Sequence, residues 1–188
     1  MSRLSPFDPD ALSGPERDDY EQAVALGYTP AGPVSVWLRS PGMVLPALDL
    51  AHHVRRGAAL SDRHRELAIL MTARACRCLY VWNQHKTLAV ESGLAQAVLD
   101  AVAERRRPRL DDPADDLVYR VCAALIEDKA VGDALFKDAS EVLGERRMVE
   151  LAGTVGYYHF VAMSLTLFKT PPPDGAIPAW HDPEFTAG

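Results

Sequence analysis

An all-α domain, orthogonal or bundle-like, is the fold class that these 188 residues predict. Three observations carry it. Apolar residues recur at i, i+3, i+4 and i+7, as in DDLVYRVCAALIEDKA, where Val118, Val121, Cys122 and Leu125 share one face. No stretch alternates apolar and polar residues as a half-buried strand would. The chain is 48% hydrophobic, and a domain of this length buries roughly 70% of its unfolded surface, so one core suffices. No internal repeat suggests a solenoid.

Residues 1–30 read as an irregular arm, rich in Pro, Asp, Ser and Gly, that ends in a short helix from Glu16 to Leu26. Pro30, Gly32, Pro33, Pro41, Gly42 and Pro46 then punctuate the chain, and VSVWLRS between them reads as an extended strand or a short helix, with helix favoured because everything after it is helical. Leu48, Leu50, Ala51 and Val54 keep helical spacing up to Gly57, a stop. Ser61 is placed to cap the next helix, RELAILMTARA, since its hydroxyl can accept an orphan amide proton. That helix is apolar nearly all round and is expected to be buried, with Glu66 and Arg74 as exceptions. A buried carboxylate must be paired or functional. A new helix begins near Cys78 and ends at Gly93, and QAVLDAVAERR, a loop RPRLDDP, the segment already quoted and a short helix from Gly132 to Gly144 follow. The last helix, ERRMVELAGTVGYYHFVAMSLTLF, stops before Pro171. Residues 31–173 form the helical domain in this reading, and 174–188 an irregular tail.

Met148 to Phe168 could reach across a bilayer core of roughly 30 Å. Glu150, His159, Gly153 and Gly156 argue against it. So apolar a helix fits a core or a subunit interface better. The net charge of −6 argues against a nucleic-acid partner, which needs a basic face. The run Arg105, Arg106, Arg107 and Arg109 is followed at once by Asp111, Asp112, Asp115 and Asp116, as in a solvated loop and helix start. No apolar leader is visible in MSRLSPFDPDALSG. Cys76, Cys78 and Cys122 are too few for a disulfide scaffold. A cytoplasmic protein is the expectation.

Glu66, Cys78 and His85 form the one constellation with a carboxylate, a thiol and an imidazole, Glu-x11-Cys-x6-His. If a helix starts near Cys78, then Cys78, Val81, Trp82 and His85 share a face, and the helix dipole favours thiolate in the first turn. Glu66 is suited to orient His85, an acid–base arrangement that works near neutral pH. Of the other histidines, His53 and His64 are expected to be exposed, and His159 to be a hydrogen-bonded core or pocket-wall residue. Phosphate loops, nucleophile elbows and HExxH are absent. His64-Arg65-Glu66 imitates half of a zinc deaminase motif, but Cys76-Arg77-Cys78 lacks the P-C-x-x-C half, so no metal is assigned.

The Arg-x-Arg-Glu at Arg63, Arg65 and Glu66, the Trp-x-x-His at Trp82 and His85, Ser92 to Leu94 and the late ELAGTVGYYHFVAMSLTLF resemble the carboxymuconolactone decarboxylase and AhpD-like (alkyl hydroperoxidase D) superfamily. The resemblance spans about 32–173. It implies an AhpD-like orthogonal helical bundle that assembles as a trimer or hexamer. Its peroxidase branch uses Glu-x11-Cys-x2-Cys-x3-His, in which a thiolate attacks peroxide and a second cysteine resolves the sulfenic acid. Val81 stands where the attacking cysteine belongs. Cys76 is a poor substitute, because i and i+2 do not face each other on a helix.

The decarboxylase branch has no cysteine pair. By that resemblance His85 is the acid–base residue, Glu66 its partner and Arg74 a carboxylate-binding candidate, while Tyr80, Val81 and Trp82 line the substrate pocket. Tyr158 and His159, on the last helix, complete the candidate set. The expected function is cofactor-free proton-transfer chemistry, a decarboxylase, lyase or isomerase step on a small carboxylated lactone or enolizable molecule. The alternatives are a thiol-dependent hydroperoxide reductase and a non-catalytic oligomeric binding protein.

Overall fold

Residues 2–172 and 179–180 are described by a computed structural model, and they contain nine α-helices and no strand. Most of the expected tail, including His181, lies outside the described residues. The helices are α1 (Gly14–Ala25), α2 (Pro33–Trp37), α3 (Val44–His52), α4 (Asp62–Ala75), α5 (Leu79–Glu91), α6 (Gln96–Ala103), α7 (Pro113–Ala123), α8 (Asp133–Leu143) and α9 (Glu145–Leu167). Of VSVWLRS the first four residues are helical, after a Pro33 start that favours it, and the helix ends at Trp37. None of these helices is long and apolar enough to cross a membrane.

The core is built around α4. Nine consecutive residues from Arg65 to Ala73 are buried, because α5, α6, α7 and α9 all pack against this helix. Its all-round apolar sequence is the counterpart of that position. Ser61 caps it, its hydroxyl accepting from the His64 amide at 3.2 Å. Buried threonines fold back on their own helices: Thr72 donates to the Ala68 carbonyl and Thr154 to that of Glu150, each at 2.8 Å. Glu150, buried on α9, accepts from the Leu60 amide at 2.9 Å and so pins the approach to α4.

The N-terminal segment is tied to the body. Arg3 donates through its amide to the Phe168 carbonyl (2.8 Å) and through its guanidinium to that of Leu167 (2.9 Å). At α2, Trp37 stacks on Phe160 at 4.9 Å and its indole donates to the Ser164 hydroxyl at 2.9 Å, which fastens the short helix to α9.

Two features depart from the sequence reading. Helices α3 and α7 each run into a π-helical turn, at His53–Gly57 and Ala124–Asp128. Such turns shift the phase of the side chains that follow and leave little trace in periodicity. His53 is exposed as expected, but His64 is largely buried, with Nε2 3.2 Å from Asp115. Asp115 is completely buried and also takes both Nε and Nη2 of Arg63 at 2.7 Å. The carboxylate draws both residues inward, and a surface reading of the helix start could not foresee it.

Candidate active site

Between α4 and α5 the chain turns in three residues. Arg77 takes a left-handed conformation (φ 55°) and the Cys78 amide returns to the Ala73 carbonyl at 2.8 Å. This tight hairpin lays α5 back along α4 and brings Glu66 opposite His85. The two side chains meet at 2.7 Å, Glu66 Oε2 to His85 Nδ1, with Glu66 only 3% and His85 6% exposed. A carboxylate accepts, so Nδ1 carries the proton and Nε2 is the nitrogen left for chemistry. Tyr158 from α9 holds the imidazole edge-on, ring centres 5.0 Å apart at 87°. Arg65 Nε lies 3.5 Å from the other Glu66 oxygen, and its Nη2 contacts Asp62 at 2.9 Å.

His85 borders a cavity of about 500 Å³, within the range of small-molecule sites. Trp37, Tyr80, Val81 and Tyr158 form walls; Arg55 and Gln84 supply polar groups. Burial pushes the Tyr158 phenol far up and that of Tyr157 up to about 12, so both rings stay neutral. Tyr80 is accommodated by Gly32, whose φ is 54° and where an added Cβ would collide with the phenol oxygen. A smaller cavity of about 260 Å³ borders Glu66 from the other side, and Arg55, Leu88 and Glu91 line both. The Glu66–His85 pair therefore forms part of the partition between them.

Cys78 is the N-cap of α5 but is 4% exposed, and burial pushes its thiol up to about 11 although the Val81 and Tyr80 amides pull it down. Desolvation outweighs the helix-end effect that the sequence suggested. Cys76 is half-buried and also pushed up by burial, and all three cysteines are free.

The structure separates the remaining candidates. Val81 and Trp82 flank His85 on α5 about 100° apart, and only Val81 faces the His85 cavity. Trp82 lines another, of about 550 Å³, and meets Trp180 edge-on at 5.3 Å. Arg74 lies eight residues beyond Glu66, about 12 Å along α4 and some 80° round it. It borders a fourth cavity instead. His159 is half-buried and donates from Nδ1 to the Val155 carbonyl at 2.9 Å. Sequence reasoning missed Arg55, Gln84, Trp37 and Tyr157. Arg55 sits in the π-helical turn, which hides its direction; Trp37, in a segment too short to show a face, left no signal.

No protein-family profile matches the chain, and no curated protein matches it. A crystal structure does match. It is that of an uncharacterized peroxidase-related protein from Silicibacter sp. TM1040, with a TM-score of 0.67 over 93% of this chain and 90% of that one. The fold is shared. At 13% sequence identity the likeness concerns the arrangement of helices, which many chemistries can occupy.

Proposed function

We propose that this chain is an enzyme of the carboxymuconolactone decarboxylase and AhpD-like superfamily in which Glu66 and His85 move a proton on a small carboxylated lactone or enolizable compound. The observation that supports it is the buried 2.7 Å carboxylate–imidazole contact beside a cavity of about 500 Å³. Glu66 fixes the tautomer and stabilises the imidazolium. Nε2 takes a proton next to a carbonyl, or delivers one to carbon as the bond to a departing carboxylate breaks and its electron pair enters the conjugated system. Arg55, the one arginine or lysine on that cavity among the described residues, is placed to hold a substrate carboxylate. The apolar outer face of α9, with Val149, Met163 and Leu167 exposed beside Gly153 and Gly156, supports assembly into a trimer or hexamer.

The test is a screen of carboxylated lactones and enolizable acids, followed by carbon dioxide release and by deuterium uptake from solvent. His85→Gln should lower kcat at least a hundredfold, while Cys78→Ser keeps most of the activity; full turnover without His85 would overturn the assignment. A thiol peroxide reductase is the second reading, favoured by the name of the matching crystal structure. It requires a Cys76–Cys78 bridge after peroxide, visible by mass spectrometry of unreduced peptides, and the raised thiols oppose it.

A further inference from the structure

The His85 cavity has two zones. Its depth is walled by buried side chains, Val34, Trp37, Leu48, Val81 and Val161 among them. Aromatic rings follow one another from the imidazole: His85 meets Tyr158 at 5.0 Å, Tyr158 meets Tyr157 at 5.3 Å and Tyr157 meets Trp37 at 6.4 Å, each pair edge to face. Arg55, Gln84, Thr87 and Glu91 border the same cavity and are all exposed, so they stand at its mouth.

Charge is divided as unevenly. Arg55 takes part in no ion pair among the described residues. It is the one arginine or lysine on the cavity among them, and the residues outside them contain neither type, so this chain supplies a single basic side chain of that kind. Glu91 at the mouth repels a second anion there. In the depth, a second carboxylate would face neutral phenols, an indole and aliphatic groups, with the Glu66 carboxylate behind the imidazole. An unpaired carboxylate in such surroundings is costly.

We propose that the ligand of this cavity is a ring-bearing monocarboxylate, its one carboxylate on Arg55 and Gln84 at the mouth and its body, with a neutral carbonyl, in the aromatic depth at His85. The proposal rests on the reading of Glu66 and His85 as a proton-transfer pair and narrows it. The carboxylate is a handle, held at a different depth from His85, and the reaction is an isomerisation. His85 Nε2 takes a proton from the carbon beside the carbonyl, the C–H electron pair enters the enolate, and the proton returns to the far carbon of the conjugated system, with no co-reactant consumed. One or two rings fit a cavity of about 500 Å³.

Titration calorimetry of the full chain tests it with three matched probes: naphthylacetate, its neutral amide, and a naphthylacetate carrying a second carboxylate on the far ring. Naphthylacetate should saturate at one per chain, the dianion should bind at least tenfold more weakly and the amide at least threefold more weakly. Arg55→Gln, with an unchanged melting temperature, should weaken naphthylacetate at least threefold and leave the amide within twofold. Ala51→Leu, which narrows the depth, should weaken both; if that variant does not fold, Arg55→Gln still decides. The proposal is overturned if no probe binds, if the dianion binds as tightly as the monoanion, or if Arg55→Gln leaves naphthylacetate unchanged. The two readings fail separately. Full turnover in His85→Gln with these preferences intact overturns the proton-transfer pair, whereas turnover of a dicarboxylate that needs His85 overturns the monocarboxylate.

Discussion

Removing the Glu66 carboxylate leaves an imidazole N–H buried with nothing to accept it. Leaving a buried donor without an acceptor costs about 1–3 kcal/mol, more than the hydrogen bond contributes net. Glu66→Ala should therefore lower the unfolding free energy by about 2 kcal/mol in urea titration. Glu66→Gln, which keeps an acceptor at the same reach, should cost less than half of that. This pair was legible in the sequence, because a carboxylate on an otherwise apolar buried helix needs a partner to keep its charge. Arg74 satisfied the same test of being polar on that helix and is also part-buried, yet it serves a different cavity. Type and burial could be read from the chain; direction around the helix depended on where α5, α6 and α7 came to rest.

Among elements, α2 is the least self-sufficient, five residues held by what one tryptophan does. Trp37 buries a large ring, stacks on Phe160 and hydrogen-bonds Ser164. Trp37→Ala should cost about 3–5 kcal/mol. It should also release α2 from α9, seen as faster amide exchange over 33–38 than over α4. The long helices α4, α5, α7 and α9 were legible from their caps and period, and Ser61 and Cys78 stand where the start signals placed them. Helix α2 was legible only by analogy with its neighbours. The two π-helical turns were not, since one residue of altered phase is lost among ordinary variation in spacing.

For the molecule as a whole, buried titratable groups set the pH range of stability. The folded state holds the Cys78 proton up to about pH 11 and those of Cys122 and Tyr157 to about 12, whereas the unfolded chain releases them near 9.0 and 10.0. Their contribution is complete below pH 9 and is lost as pH rises, each group adding a slope of about 1.4 kcal/mol per pH unit between its two values. His64 acts on the acid side. Burial lowers its pKa below 6.5 against the pull of Asp115, so the unfolded chain takes the proton first and stability falls as pH drops through that range. Calorimetric melting temperatures should thus form a plateau between about pH 6.5 and 9, and Cys122→Ala should make the alkaline side shallower. One local feature has a reach of the same order. The π-helical turn His53–Gly57 sets the direction of Arg55 by chain length and not by residue type. Deleting His53 would let the turn relax to α geometry and swing Arg55 by about 100°, so the charge at the His85 cavity could be withdrawn by losing one codon, with no residue that lines the cavity changed in type.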